Sequence, residues 1–93
     1  MPLRFEWDER KAVSNLEEHG VSFREAATIF GDPLSLTISD PDHSLAEMRF
    51  IDIGLSHRGR LLVVSYMERG EHIRIISARR ATRREQRQYE EAT

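Results

Sequence analysis

The N-terminal third of the chain begins with a period-two pattern and continues with a helical one. Residues 3–7 alternate apolar and charged side chains, which predicts a short first strand. Ala12 and Leu16 then recur one helical turn apart, with Asp8 placed to cap the start of a helix and Gly20 to end it. These positions predict a helix of about three turns.

A second helix and a change of period follow. Ser22 and Glu25 have the capping-box spacing that opens a helix, and its apolar positions extend to Phe30. Gly31-Asp32-Pro33 supplies the residues that end it. Apolar and polar residues then alternate from Leu34 to Ser39, which predicts a half-buried strand.

Three more strands and a last helix are predicted in the rest of the chain. Apolar residues alternate through 47–55, fill 61–66 and recur in 73–77, with glycine-containing hairpin turns between them. A last helix is predicted at about residues 82–91. The order β-α-α-β-β-β-β-α predicts an α+β domain with an antiparallel sheet, N-terminal helices on one side and a C-terminal helix.

Length and composition narrow the class of protein. Ninety-three residues suit a single domain, residues 1–93, with one modest core. The absence of cysteine excludes disulfides, thiolate metal sites and a cysteine nucleophile. No apolar run approaches the roughly 20 residues of a membrane helix, and the N-terminus lacks a signal-peptide core. We therefore expect a soluble, cytoplasmic protein that does not contact a membrane.

Charge is distributed unevenly along the chain. Residues 1–56 carry five Lys or Arg against eleven Asp or Glu, whereas residues 57–93 carry nine against five. Thirteen of the fourteen basic residues are arginine, and Lys11 is the one lysine. The arginine side chain can donate paired hydrogen bonds to a phosphate. The excess of arginine in residues 57–93 therefore indicates a polyanion-binding surface, with RNA or DNA as the first candidate.

Cleavage of RNA by its own 2′-hydroxyl needs a base, an acid and cations that stabilise the phosphorane, but no metal or other cofactor. Arg60, Arg74 and Arg79 lie at turns and ends of adjacent predicted strands and could supply the cations, with Arg49 joining them. Arg74 and Arg79 differ by an odd number, so a regular strand would point them to opposite faces. Their convergence therefore requires Arg79 to lie past the strand end. Surface pairing of these arginines with Glu47, Glu71 or Glu85 is the alternative.

The last helix carries a second group of arginines. Arg80, Arg83, Arg84 and Arg87 lie three and four residues apart and could follow an RNA backbone. Intrahelical pairing of Arg87 with Glu90 and Glu91 is the alternative. The inner stripe of this helix includes an acid, Glu85, which we expect to pair with an arginine of the sheet.

Three further side chains could move protons. Tyr89 could stack on a base, donate a proton, or simply anchor the last helix. His43 and Glu47 are candidate general bases near the end of the predicted sheet. Asp40, Asp42 and His43 could also suggest a metal site, but they flank a turn proline without a known ligand spacing, so no metal is expected.

The chain resembles one family over nearly its whole length. Its matching motifs are Phe5-x-Trp7-Asp8, Lys11, Asn15, His19-Gly20-Val21-x-Phe23, Asp32-Pro33, His43-Ser44-x-x-Glu47-x-Arg49, Ile53-Gly54-x-Ser56, Gly59-Arg60 and Ile73-Arg74-Ile75-Ile76-Ser77-Ala78-Arg79. Together they resemble the BrnT-type toxins of bacterial type II toxin–antitoxin pairs.

The resemblance implies a RelE-like fold and a metal-independent endoribonuclease that inhibits translation. It implies a BrnA-like ribbon-helix-helix antitoxin as partner, with operator DNA bound only through the complex of the two. On this basis Arg60, Arg74 and Arg79 are expected to bind the phosphate, and Glu47, His43 and Tyr89 are candidate acids or bases. A non-catalytic nucleic-acid- or partner-binding module of the same fold is the alternative.

Overall fold

The computed structural model describes residues 3–39 and 49–92. His43 and Glu47, and with them Asp40 and Asp42, lie outside these residues. The elements follow the predicted order: β1 Arg4–Glu6, α1 Glu9–His19, α2 Phe23–Ala27, a 3₁₀ helix Thr28–Gly31, β2 Leu36–Ser39, β3 Arg49–Leu55, β4 Leu61–Arg69, β5 His72–Arg80 and α3 Arg83–Ala92.

The strands form one five-stranded sheet in the order β1-β5-β4-β3-β2. Strands β2 to β5 are an antiparallel meander, as predicted. The expectation of a wholly antiparallel sheet is wrong, because β1 pairs with β5 in parallel. Hairpin turns impose antiparallel pairing on β3, β4 and β5, whereas β1 reaches β5 only through the rest of the chain and is free of that constraint.

The ends of α1 are fixed by the two residues that the sequence indicated. The Asp8 carboxylate accepts the Arg10 and Lys11 N–H groups at 2.8 and 3.2 Å. Gly20 adopts a left-handed φ of 68° and donates its N–H to the Leu16 carbonyl at 2.9 Å. Both capping predictions are confirmed, because caps depend on residues within one turn of each other.

The buried side of α1 differs from the expected apolar stripe. Leu16 is 51% exposed, whereas the polar residue beside it, Asn15, is buried. Its amide accepts the Ala78 N–H at 3.1 Å and donates to the Ala78 carbonyl at 2.8 Å. Strand β1 pairs with β5 only as far as Arg74. The Asn15 amide thus takes the place of a strand partner at Ala78, where the backbone groups of β5 would otherwise lack one.

The main core lies between one face of the sheet, called here the first face, and the helices α1 and α2. It includes Val21, Phe23, Ala26, Ile29, Leu62, Val64, Tyr66, Ile73, Ile75 and Ala78. The opposite side is called the second face, and its buried apolar residues include Ile53, Val63 and Met67. Helix α3 reaches this second face through Glu85, which contacts Arg79.

A β-bulge in β5 positions the arginines of the second face. Ser65 pairs with Ser77 but Tyr66 pairs with Ile75, which leaves Ile76 as an extra residue. The extra residue reverses the alternation of side chains along the strand. Arg74, opposite Met67, and Arg79, opposite Val63, therefore point to the same face. The expectation that Arg79 lies past the strand end is wrong, since β5 continues to Arg80.

No helix within the described ranges has the length and apolar character needed to cross a membrane.

Candidate functional site

Three arginines that the sequence singled out share the second face. Arg49 and Arg74 are both paired with Met67 of the intervening strand, which places their Cα atoms roughly 10 Å apart across the sheet. Arg79 is paired with Val63, four residues along β4 from Met67, or roughly 13 Å. The second face is therefore a cationic surface spanning three strands.

Arg74 is held only lightly. Its guanidinium lies 3.4 Å from the Glu6 carboxylate of β1, and the two side chains are 34% and 42% exposed. An ion pair this open to solvent contributes little to stability. Arg74 can therefore exchange Glu6 for a phosphate at small energetic cost.

Arg79 is held tightly by α3. Its two terminal nitrogens donate to the two Glu85 carboxylate oxygens at 2.7 and 2.8 Å. These bonds lower the pKa of Glu85 to about 2. A hydrogen bond from the Thr82 N–H also lowers this pKa, whereas burial raises it. The predicted pairing of Glu85 with an arginine of the sheet is confirmed. Thr82 and Glu85 also bond reciprocally as a capping box at the start of α3.

Arg60 lies apart from Arg74 and Arg79. It points towards the N-terminal helices, where its guanidinium bonds both carboxylate oxygens of Glu25 and donates to the Gly20 carbonyl at 3.1 Å. The bond from Arg60 is the main reason that the pKa of Glu25 falls to about 2. Burial raises this pKa, and the hydrogen bond from the Ser56 hydroxyl lowers it further. The structure therefore does not bring the three predicted arginines together.

Tyr89 fastens α3 to the turn before β2. Its hydroxyl donates to the Asp32 carboxylate at 2.7 Å, and that carboxylate also accepts the Leu55 and Leu34 N–H groups, each at 2.9 Å. The bond to Asp32 and burial raise the pKa of Tyr89. Burial raises the pKa of Asp32, but the three hydrogen bonds outweigh this effect, so the pKa is lowered overall. The anchoring role is thus present in the structure.

The second group of arginines is exposed. Arg83, Arg84 and Arg87 project from α3, a helix with no buried residue. Arg80 is the last residue of β5 and is paired with Leu62, which puts it on the face opposite to Arg79. These arginines are therefore divided between the outer surface of α3 and the end of the sheet.

Asn15, Glu25 and Asp32 make long-range contacts that sequence reasoning did not assign. Glu25 is 2% exposed. A signal for Glu25 was present, because it lies between two apolar residues of the predicted helix, Phe23 and Ala26, and a buried acid needs a cationic partner. No local signal identified the partner, which lies 35 residues away.

Comparison with known proteins identifies the family. A family model described as the ribonuclease toxin BrnT of type II toxin–antitoxin systems matches residues 7–85. The chain belongs to the BrnT family. A BrnT toxin of a type II system has RNA as its target and an antitoxin as its partner. The resemblance read from the sequence motifs is therefore confirmed.

The fold agrees with that of a solved BrnT toxin. The 1.1 Å crystal structure of the Brucella abortus ribonuclease toxin BrnT matches with a TM-score of 0.68 and 21% sequence identity, over 87% of this chain and 99% of that one. A search of curated proteins found no match. The α+β class with a five-stranded mixed sheet and three helices is therefore that of a BrnT toxin.

Proposed function

We propose that this BrnT toxin is a metal-independent endoribonuclease. The RNA 2′-oxygen attacks the adjacent phosphorus as a base removes its proton, and the bond from phosphorus to the 5′-oxygen breaks as that oxygen gains a proton. The products are a 2′,3′-cyclic phosphate and a 5′-hydroxyl. Cationic side chains take the charge-stabilising role that a metal has in other nucleases.

The observation that carries this proposal is the position of Arg74. The bulge at Ile76 directs it to the second face, and among the described residues its one ion pair is the solvent-exposed contact with Glu6 at 3.4 Å. Arg49, across Met67 on the same face, adds a second cation. We assign Arg74 to the non-bridging phosphate oxygens in the transition state and Arg49 to the neighbouring backbone.

Arg60 and Arg79 can bind phosphate only after they release their carboxylate partners. Both bond carboxylates with two nitrogens, to Glu25 and Glu85 respectively. They contribute to phosphate binding only where RNA displaces the carboxylate. Displacing Glu25 from Arg60 leaves the buried Glu25 carboxylate without its main cationic partner. This exchange therefore costs more free energy than displacing Glu85 from Arg79.

Proton transfer is assigned to a small set of side chains. We propose Glu47 or His43 as the base that takes the 2′ proton, with Tyr89 as the candidate acid. The raised pKa of Tyr89 and its bond to Asp32 make it a weaker proton donor than a free tyrosine. A stacking or anchoring role for Tyr89 is therefore the competing assignment.

The exposed arginines of α3 are proposed to hold the RNA. Arg83, Arg84 and Arg87, with Arg80 at the end of β5, would neutralise backbone phosphates, so binding should weaken steeply with salt. Cleavage of messenger RNA would inhibit translation in the cytoplasm. A BrnA-like ribbon-helix-helix antitoxin is the proposed partner, and operator DNA is bound only by the complex.

The chemistry is tested by cleavage of a defined RNA in EDTA, followed by end-group analysis. We expect cleavage to persist in EDTA and to leave cyclic phosphate and 5′-hydroxyl ends. Cleavage lost in EDTA and restored by a divalent cation, or 5′-phosphate ends, would contradict the mechanism. Growth arrest on expression that co-expression of the antitoxin relieves tests the biological role.

A non-catalytic binding module is the second candidate, because Arg60, Arg74 and Arg79 each have a carboxylate partner. Such a module would bind RNA in a salt-sensitive manner and leave it intact. Retained binding with no cleavage by the wild-type chain, in the presence or absence of ribosomes, would establish this function in place of the first.

A further inference from the structure

A cavity of about 330 Å³ lies between α3 and the hairpin that joins β3 and β4. Its walls include Leu55, Leu61 and Tyr89, and its rim includes Arg80, Gln86 and Glu90. The volume is at the small end of the range for ligand sites, about 300–1,000 Å³. The cavity is distinct from the arginine surface on the second face.

The walls provide the apolar part of a recognition site. Leu55 is 45% exposed although it ends a strand of the sheet, so its side chain is available to a ligand. Leu61 begins the next strand beside it, and the half-buried ring of Tyr89 completes the wall. An aromatic ring beside aliphatic side chains is the usual platform for a nucleobase removed from its stack.

One carboxylate holds two of these walls in place. The same Asp32 oxygen accepts the Tyr89 hydroxyl at 2.7 Å and the Leu55 N–H at 2.9 Å. The Tyr89 hydroxyl is thereby directed away from a role in binding, while its ring keeps a fixed position. A platform fixed before binding avoids the entropy cost of ordering it when a ligand arrives.

The rim provides polar groups of complementary type. The Gln86 amide offers a donor and an acceptor, and the Arg80 guanidinium offers donors only. Neither side chain forms a hydrogen bond with another described residue. Arg60 also lines the cavity, but its guanidinium is bonded to Glu25. The apolar walls and the Gln86 amide together suit the flat ring and polar edge of a base.

We propose that this cavity binds one unstacked nucleobase of the RNA substrate and makes Gln86 and Tyr89 determinants of sequence preference. Tyr89 stacks on the base and Gln86 contacts its edge, while Arg80 at the rim is left to the neighbouring phosphate. This inference rests on the proposed ribonuclease function, since it names the substrate subsite of that enzyme. Tyr89 then acts as a binding residue and not as the proton donor.

The test compares two glutamines of the same helix. Gln86→Ala removes the rim amide, and Gln88→Ala, at an exposed position that does not line the cavity, is the matched control. Cleavage sites on an RNA of randomised sequence are mapped for both variants and for wild type. We expect Gln86→Ala to broaden the base preference at one position and to raise KM about 5-fold, and Gln88→Ala to match wild type.

Tyr89 variants separate stacking from proton transfer. Tyr89→Phe should retain the base preference and at least one third of kcat, whereas Tyr89→Leu should raise KM about 10-fold with a smaller change in kcat. A fall of 100-fold or more in kcat for Tyr89→Phe, with KM unchanged, would identify an acid and overturn the stacking assignment. Thermal melting confirms that each variant is folded.

Failure of the subsite and failure of the enzyme give different results. If wild type cleaves RNA but Gln86→Ala and Gln88→Ala show the same preference and KM, the subsite is refuted while the proposed function stands. If wild type cleaves no RNA, the proposed function fails. Binding of a 2′-O-methylated single-stranded RNA then decides the subsite: equal affinity for wild type and Gln86→Ala refutes it, and about 5-fold weaker binding by Gln86→Ala alone supports it.

Discussion

Glu25 and Glu85, whose pKa values are both lowered to about 2, each bond an arginine that sequence reasoning assigned to substrate binding. Glu25 is 2% exposed and would destabilise the fold if its charge were unpaired. Arg60 supplies the counter-charge, and Ser56 and Arg58 lie close by. At the scale of single residues, the neighbouring acid decides whether an arginine is available to a ligand.

Replacing Arg60 should therefore lower stability. Because Arg60→Ala leaves the buried Glu25 carboxylate without its main partner, we expect the free energy of unfolding to fall by about 3 kcal/mol, measured by urea denaturation. Arg58→Ala is the control, since Arg58 is 63% exposed and 3.8 Å from Glu25, and it should cost less than about 1 kcal/mol. Wild-type stability in an Arg60→Ala protein that no longer cleaves RNA would instead make Arg60 a catalytic residue.

Asn15 should also be sensitive to a small change. Asn15→Asp keeps the shape but replaces the amide donor to the Ala78 and Val21 carbonyls with an acceptor. We expect a loss of about 2–3 kcal/mol, seen as a melting temperature lower by roughly 10–20 °C. Ser14→Ala, at the exposed neighbouring position, should melt like wild type. Equal melting of the two variants would contradict the role given to Asn15.

At the scale of helices and strands, features that depend on neighbouring residues, such as helix caps, were predictable from the sequence. Features that depend on the register between strands were not. Asp8 and Gly20 fixed the limits of α1 from local chemistry alone. The acid on the inner stripe of α3 indicated its own partner in the sheet. The bulge at Ile76 is a property of the register between β4 and β5, which the residues of β5 do not determine by themselves. The convergence of Arg74 and Arg79 depends on that register.

The attachment of α3 should depend on Glu85. Glu85→Gln loses the charge of the bidentate contact with Arg79 and weakens the docking of a helix that has no buried residue. We expect amide hydrogen exchange to accelerate throughout α3 while β3 and β4 remain protected. Glu91→Gln, at an exposed position of the same helix, is the control. Unchanged exchange in α3 of the Glu85→Gln protein would show that other contacts hold the helix.

For the whole molecule, the acidic and basic halves of the sequence meet in ion pairs: Glu6 of the acidic half pairs with Arg74, and Arg60 of the basic half pairs with Glu25. The basic half supplies β5 and α3, and with them Arg74 and Arg79 of the second face and the exposed arginines of α3. Charge counting located this half but could not distinguish arginines that are free from those bonded to acids. That distinction required the positions of Glu25, Glu6 and Glu85 in space.

Stability of the whole molecule should fall in acid. Glu25 and Glu85 have folded pKa values of about 2, below the ordinary value of about 4.5, so protons bind the unfolded chain first as pH falls. Their contribution is complete above about pH 5 and is lost as pH drops from there towards 2. For Glu25 it is on the order of 3 kcal/mol. Asp52 acts in the opposite sense, because burial raises its pKa.

Urea denaturation at pH 7, 5, 4 and 3 measures this dependence. A Glu85→Gln variant is the comparison, and it should lose part of the decline between pH 5 and pH 3. A free energy of unfolding that stays constant or rises over that interval would contradict the pairing of both glutamates.

The second face of the sheet, which carries Arg74, is the proposed ribonuclease active site. Single-turnover cleavage of one RNA in EDTA, with the dissociation constant measured on its 2′-O-methyl analogue, tests it on Arg74→Ala and Arg87→Ala. We expect Arg74→Ala to slow cleavage by 100-fold or more with little change in affinity for RNA. We expect Arg87→Ala to weaken RNA binding and its salt dependence, while the bound RNA is cleaved at a near-normal rate. Cleavage by Arg74→Ala at the wild-type rate would contradict the assignment of Arg74 to the active site.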